Sequence, residues 1–464
     1  MPSHAASGRT VAGGGASRRL LARFRLRHPS QFVVAAVFAA IVVGTILLSL
    51  PVATEGPAAA SFTTAMFTAT SAVCVTGLAV VDTGAYWSGF GEGTILVLIQ
   101  LGGFGFMTLA SMLALVVYRN LGVRARLLAQ AETKTLDLGD VRRIVVGVAV
   151  VSFLFEAVSA VVLALRFGTA YGEPAGRALY LGVFHAVSAF NNAGFSVFAG
   201  NLKEFVGDAW IICVIAVGLI VGGIGFPVLF EVKRSWRRPS HWSLHTKLTL
   251  VMTGALIVAG TAAVLAFEWG NSATLGEMSV PGKGLAGFFQ GVSPRTAGFD
   301  AVDIGALTEP TLLVTMVLMF IGGGSAGTAG GVKVTTVALL GAMVRAEVRG
   351  EPAVELMDKR VPGAAQRQAL AVVLAGFFAV FTGTLVLMAA EGIAMKGALF
   401  EAFSAFGTVG LTTGVTPDLS SVGRLVLVVL MFVGRVGPIT FGAALAMREH
   451  RRRFRYPEER PIVG

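Results

Sequence analysis

Four times along the chain a phenylalanine is followed ten residues later by a glycine, each time in a short segment between two long apolar stretches: Phe67 to Gly77, Phe184 to Gly194, Phe288 to Gly298 and Phe400 to Gly410. Ser71, Ser188 and Ser404 share a register six residues before the glycine, whereas the third copy has Val292 there and Ser293 beside it. Each copy leads to a second glycine cluster: Gly102-Gly103, Gly222-Gly223, Gly322-Gly323, and Gly434 followed by Arg435. A repeat of this kind restricts the chain to four like units.

The surroundings of the repeats are apolar. The chain is 55% hydrophobic and 14% charged, with mean hydropathy +0.76, whereas soluble domains carry about 25% charge. Stretches near 32–50, 92–118, 144–165, 206–230, 246–267, 311–343, 369–390 and 422–447 reach the ~20 residues that cross a bilayer as a helix. The net charge of +11 does not indicate nucleic-acid binding, because most basic residues sit in short links beside apolar runs. Between the paired runs lie Arg119 to Arg143, Lys233 to Lys247 and Arg345 to Arg367, while the filter-bearing connections carry Asp82, Glu92, Asp300, Asp303 and Asp418. The positive-inside rule then places both termini in the cytoplasm and the glycine segments on the outer side. The basic tails, 1–31 and 448–464, read as cytoplasmic. A cleaved signal peptide does not fit, since the run to Leu50 is long and Pro51 follows without a small-residue cleavage pattern. The outer acids either concentrate cations or are ordinary solvated loops. Cys74 and Cys213 indicate no disulfide framework and read as small apolar fillers. No zinc, nucleotide or hydrolase motif is convincing.

Segments 63–75, 178–190, 284–292 and 396–406 are too short to span and read as half-membrane helices followed by irregular backbone. Such backbone is tolerated at depth only if buried in protein or lining a watery cavity. The expected fold is therefore an all-α integral membrane protein. It has four membrane–pore-helix–membrane repeats (32–118, 144–230, 246–343 and 369–447) around a pseudo-fourfold pore, with eight spanning helices. In such a filter backbone carbonyls replace an ion's water shell. The candidates are Val73, Cys74, Val75 and Thr76 before Gly77, and Phe190, Asn191, Asn192 and Ala193 before Gly194. In the other copies they are Pro294, Arg295, Thr296 and Ala297 before Gly298, and Phe406, Gly407, Thr408 and Val409 before Gly410. Glycine permits positive φ and leaves the axis clear, and the pore helices aim negative ends at the cavity. The alternative is four glycine turns in extracellular hairpins.

Other residues gain meaning in this frame. His185, Asn191 and Asn192 are expected to brace the second turn by hydrogen bonds, and Arg295 to point away from the axis. The stretch from Ile321 to Thr336 holds six glycines (Gly322, Gly323, Gly324, Gly327, Gly330 and Gly331) with Ser325, Thr328 and Lys333. Interior glycines each cost about 1 kcal/mol against alanine, so the helix is expected to break there into a loop that gates the path. The competing reading is close helix packing through Gly323, Gly327 and Gly331. Arg435 and Glu156 are deep charges, expensive in a membrane and expected to have partners. Arg435 either braces the interior or tunes ion occupancy, and a direct Arg435–Glu156 pair is one arrangement considered.

The segments TATSAVCVTGL, FNNAGFSVF, SPRTAGFDAVD, FGTVGLTTG, GSAGTAGGVKVTT and GRVGPITF resemble, in order, the motifs of the Trk/Ktr/HKT superfamily of cation transporters. The lack of an extra hairpin before the first repeat makes the chain most similar to the KtrB-type subunit. The resemblance implies inward K⁺ passage, with Gly77 where Na⁺-preferring plant relatives often have serine. It implies an intramembrane gate over 321–336 with Arg435 beneath the filter. It further implies a homodimer in the plasma (bacterial inner) membrane, docked on a cytosolic RCK-type nucleotide-binding ring (KtrA-like). Neither an organic cofactor nor nucleic acid is expected; K⁺ is the ion, with Na⁺ a candidate activator. The reading is of a non-enzymatic conducting subunit. The alternative is a K⁺ symporter coupled to Na⁺ or H⁺, and a membrane enzyme or scaffold lacks the polar groups it would need.

Overall fold

A computed structural model describes residues 29–119 and 138–447, and over them the chain is helical. Residues 1–28 of the tail expected over 1–31, the tail over 448–464 and most of the basic link after the first repeat fall outside the described residues, and 29–31 already belong to the first helix. The first segment comprises α1 (Pro29–Leu48), α2 (Phe62–Val73), the one-turn α3 (Thr83–Tyr86) and α4 (Gly89–Arg119). The second comprises α5 (Leu138–Ala170), α6 (Ala175–Phe190), α7 (Ala209–Ile224) and α8 (Phe226–Ser235). The third holds α9 (Leu244–Glu268), α10 (Val280–Val292), α11 (Glu309–Phe320) and α12 (Val334–Arg349). A small antiparallel hairpin, β1 (Glu355–Leu356) with β2 (Lys359–Arg360), leads to α13 (Gly363–Glu391), α14 (Met395–Gly407) and α15 (Ser421–Met447).

The long helices have no polar face, and their outward positions are apolar. Phe38, Ile46, Phe153, Leu154, Phe378 and Phe381 are all exposed, a pattern that suits lipid rather than water. Among the described residues, α5 over Val145–Ala170, α9 and α13 are long and apolar enough to cross a bilayer, and α7 with α8 qualifies as a bent pair. The short helices begin at defined points: Ser61 and Ser279 accept from the N–H of Thr64 and Gly282, each satisfying an otherwise free donor of the first turn.

Packing follows one rule four times. The first long helix of each segment lies on its own short helix: α1 on α2, α5 on α6, α9 on α10 and α13 on α14. The helix after each turn lies on the short helix of the next segment: α4 on α6, α7 on α10 and α11 on α14, with α15 on α2 completing the circuit. In three segments the helix after the turn also lies on the end of its own short helix, and there it presents glycine. A Cβ on Gly102, Gly222 or Gly434 would overlap the carbonyl oxygen of Val73, Phe190 or Phe406 respectively. These are Cα–H···O contacts that any side chain would remove.

The structure departs from the sequence reading at 206–230, expected as one span. The helix ends at Ile224 and restarts at Phe226 in a direction 97° away. Gly225 makes the corner at φ 98°, and a Cβ there would overlap the Ser325 carbonyl. Pro227 then begins α8, where a missing N–H costs nothing. The break expected over 321–336 is observed over 321–333, because Val334 already starts α12. The glycines spaced like a helix-packing motif are not on a helix.

Gly434→Ala tests the packing rule. Overpacking of this kind costs about 1–3 kcal/mol, so the purified variant should melt below wild type in detergent. An unchanged melting temperature would show that α15 can retreat from Phe406.

Candidate functional site

Each short helix ends in a left-handed residue followed, two positions later, by a left-handed glycine. The pairs are Val75 (φ 56°) with Gly77 (φ 87°), Asn192 (57°) with Gly194 (70°), Thr296 (72°) with Gly298 (74°), and Thr408 (50°) with Gly410 (103°). In three copies the first residue closes a Schellman cap. Val75 and Thr76 donate to the carbonyls of Ala72 and Ser71, Asn192 and Ala193 to Ala189 and Ser188, and Thr408 and Val409 to Ala405 and Ser404. That position is usually glycine. Here it holds β-branched Val75 and Thr408, with β-branched Thr296 equally left-handed in the third copy; this conformation costs of order 1–3 kcal/mol each and persists only where surroundings enforce it. The sequence reading named these four residues as candidates but not their left-handed conformation, for which only Asn192 carried a signal, since asparagine tolerates that region.

The four glycines meet head to tail. A Cβ on Gly194 would stand 2.8 Å from the Ala297 carbonyl oxygen. On Gly77, Gly298 and Gly410 it would overlap the carbonyls of Ala193, Val409 and Thr76. The contacts run from turn one to two, two to three, three to four and four back to one. Thr76, Ala193, Ala297 and Val409 thus contribute their carbonyls to one closed ring. The carbonyls of Val73, Phe190 and Phe406 sit instead against the following helix, as described above. Cys74, Asn191 and Gly407 lie between these two sets, as helix ends and caps. Pro294 and Arg295 begin the third turn, and the Arg295 guanidinium reaches the carbonyl and hydroxyl of Thr253 on α9 at 3.4 Å each.

A ring of neutral carbonyl dipoles can replace the water shell of a monovalent cation. The C-terminal ends of α2, α6, α10 and α14 face the turns and favour positive charge. The hydroxyls of Thr76, Thr296 and Thr408 are buried beside the ring without a hydrogen-bond partner among the described residues.

Side chains brace each turn differently. Ser188 Oγ donates to Phe195 O at 2.7 Å, and Ser293 Oγ to Phe299 O. Ser293 therefore does the work of Ser188 from one position nearer the glycine, which accounts for the shifted register of the third copy. Ser404 Oγ accepts from Gly410 N at 3.1 Å, and Glu401 holds the strand beyond through Thr412, Thr413 and Thr416. His185 bonds Leu181 O and Ser196 Oγ, and Asn191 donates to Gln100, Glu156 and Val187. Glu156 takes its hydrogen bonds from Gln100 and Asn191, while Arg435 donates to Gly102 O at 3.0 Å and to Thr328 O.

Residues 321–333 lie beneath the turns without helical structure. Gly324 N and Thr328 N donate to Gly223 O and Gly222 O, carbonyls that the end of α7 leaves free. Gly322 N pairs with Val332 O at 2.8 Å, and Phe226 N reaches Ala326 O at 3.4 Å. Gly323, Gly324 and Gly327 lie against Gly223, Ile224 and Gly222; Gly330 abuts Thr408, and left-handed Gly331 faces Gly407. The Ser325 carbonyl touches Gly225, and Lys333 Nζ donates to Ala329 O. Thr328 Oγ1 donates to Asn192 Oδ1 at 2.9 Å, so loop and second turn are directly bonded. On the opposite side, burial pushes the Asp300 carboxyl up to about 6, against the pull of Lys203 at 3.7 Å. Its negative charge is therefore present at neutral pH and lost as pH falls through 6.

The fold and its closed circuit of turns define a helical membrane protein. The sequence profile of the TrkH cation transport proteins matches residues 14–450, and the chain belongs to this family. It is 41% identical over 440 residues to the Ktr system potassium uptake protein B of Bacillus subtilis, covering 94% of this chain and 97% of that one. The Ktr system potassium uptake protein B of Vibrio alginolyticus is 37% identical, with 90% and 91% covered. The potassium/sodium uptake protein NtpJ of Enterococcus hirae is 33% identical, with 94% and 97% covered. The crystal structure of the potassium transporter TrkH from Vibrio parahaemolyticus superposes with a TM-score of 0.70 at 18% identity, over 93% of this chain and 87% of that one.

Thr328→Val keeps the shape and removes the hydroxyl, leaving Asn192 Oδ1 without that donor, a loss of about 1–3 kcal/mol. Purified Thr328→Val should melt below wild type, and Thr328→Ser should restore most of the difference. Equal melting of all three would show that this bond contributes nothing.

Proposed function

We propose that the chain is the ion-conducting membrane subunit of a potassium uptake system, passing K⁺ inward through the ring of carbonyls. The observation that carries this reading is the closed circuit of four glycine–carbonyl contacts, from Gly77 to Ala193 and around to Gly410 and Thr76. The finer architecture proposed is eight spans and four re-entrant pore helices about a pseudo-fourfold axis, within repeats 32–118, 144–230, 246–343 and 369–447. Both termini are placed in the cytoplasm and the glycine turns on the outer side of the plasma membrane. The loop 321–333, with Lys333 and Arg435 beside it, serves as the gate. By analogy with the Ktr systems, a homodimer docks on a cytosolic nucleotide-binding ring of the RCK type. The membrane potential drives the ion, at about 2.3 kcal/mol per charge per 100 mV. No covalent step is involved.

A second reading has one observation in its favour: the similarity to a protein named for potassium and sodium uptake. In that reading Na⁺ is a coupled ion or an activator. Voltage-clamped flux with Na⁺ or H⁺ omitted separates the two, since a fixed stoichiometric requirement would replace the simple pore.

Rubidium uptake into proteoliposomes is the primary test: protein-dependent uptake that follows an imposed potential is expected, and its absence with correctly folded protein would overturn the proposal. Gly77→Ser should reduce the preference for Rb⁺ over Na⁺ by about tenfold, the equivalent of one charge-assisted hydrogen bond, and an unchanged preference would remove Gly77 from the filter. Deleting Gly322–Gly331 should raise flux; equal or lower flux in folded protein would show that the loop is no gate.

A further inference from the structure

Glu156 stands in the middle of α5, 5% exposed, and no step of the proposed conduction uses it. An ionisable group at this depth is a functional candidate by its cost alone. We infer that Glu156 is a positioning residue for ion passage: its charge sets the direction of a hydrogen-bond relay through Gln100 to Asn191 that holds the second turn. The inference rests on the reading of that turn as part of the filter.

The geometry of the relay is closed. Gln100 Nε2 on α4 donates to both carboxylate oxygens of Glu156 at 3.2 Å, and Gln100 Oε1 accepts from Asn191 Nδ2 at 2.8 Å. Asn191 Nδ2 also donates to Glu156 Oε1 at 3.1 Å and to Val187 O at 2.9 Å. Every one of these bonds to Glu156 donates to it, which is the pattern of the ionised carboxylate. A proton taken up from water would turn one oxygen into a donor that faces the Gln100 NH₂. The conflict is relieved when the Gln100 amide turns end for end, which sets its NH₂ against that of Asn191. Asn191 keeps Glu156 Oε1 and Val187 O as acceptors, but the two opposed NH₂ groups repel where an N–H···O bond of 2.8 Å stood. The Asn191 amide cannot simply turn over in place, because that would set its Oδ1 against the Val187 carbonyl to which its Nδ2 now donates. The displacement therefore passes to the backbone of the cap, where Asn192 is held left-handed.

Of the other turns, the fourth has a buried carboxylate, Glu401, held by threonine donors, and the third is followed by Asp300, but neither is joined to its turn through a side-chain amide. At the register of Asn191 the other turns carry Cys74, Arg295 and Gly407, and Arg295 is engaged with Thr253. The titratable groups on the elements around Glu156 are occupied elsewhere. Glu92 of α4 is bonded by Tyr180, and His185 of α6 by Leu181 and Ser196. Arg177 of α6 pairs with Glu173, and Asp208 before α7 with Arg166 of α5. Cys213 of α7 is exposed. Arg435 of α15 donates to Gly102 O, two residues past Gln100.

The test is Rb⁺ and Na⁺ uptake into proteoliposomes with equal pH on both faces, from about pH 8 to about pH 5, the range into which burial brings carboxyl titration. Wild type should lose about tenfold in Rb⁺-over-Na⁺ preference as pH falls, the ratio matching one charge-assisted hydrogen bond. Glu156→Gln, which mimics the neutral acid, should show the low-pH preference at every pH, and Glu156→Asp should keep the pH response. Gln100→Met should abolish the response with Glu156 intact. A pH-independent wild type, or Glu156→Gln with the wild-type profile, overturns the inference, and a retained response in Gln100→Met overturns the relay. Gly77→Ser run in parallel separates the two levels. If it loses selectivity while Glu156→Gln behaves as wild type, only this inference falls; if neither changes selectivity, the filter reading falls. Gel filtration establishes that each variant is folded, and Gln100→Met decides the matter if Glu156→Gln is not.

Discussion

Four turns can abut head to tail, each against the next one's carbonyl, only where no side chain stands between them, and much of this fold serves to hold them there. The Cβ-free backbone of Gly77, Gly194, Gly298 and Gly410 lets each turn abut the next. Behind three of the turns, Schellman caps fix the direction in which the chain leaves its helix. Further out, Gly102, Gly222 and Gly434 let the following helices press on the caps from behind. Left-handed Val75 and Thr408 stand in turns enclosed in this way, a conformation that neither residue prefers locally.

The four turns share a backbone but not a bracing scheme. Hydroxyls of Ser188 and Ser293 hold the carbonyl just past the glycine, whereas Ser404 accepts from the glycine itself. The fourth turn is further secured by a fully buried carboxylate, Glu401, surrounded by threonine donors. The second is tied to α4 and α5 through an amide–carboxylate network and to the loop beneath it through Thr328. A single chain can diversify its quarters in this way, so that one turn answers to changes to which its neighbours are indifferent.

The segment below the ring shows how irregular backbone survives among apolar helices. The corner at Gly225 strips α7 of the partners for its last carbonyls, and the loop donates to two of them. Each irregularity supplies what the other lacks. The cationic side chains nearby bind loop carbonyls, Arg435 at Thr328 and Lys333 at Ala329, and so contribute to the shape of the loop as well as to its field.

The sequence by itself determined the elements whose cause is local or periodic. Apolar runs of spanning length, basic links and four Phe-to-Gly segments establish a membrane protein of four like units, and the glycine-rich stretch after Phe320 establishes a break. What it could not determine are the features imposed by distant neighbours. Nothing local marks Val75 or Thr408 as left-handed, because alone each would avoid that conformation. Gly225 reads as one more small residue in an apolar helix until the loop from a hundred residues away lies across it. Glu156 is visible as a deep charge, yet its partners Gln100 and Asn191 come from two other helices. Hydrophobicity and glycine are written residue by residue, but close approach and buried hydrogen bonding belong to pairs, and only the folded chain brings those pairs together.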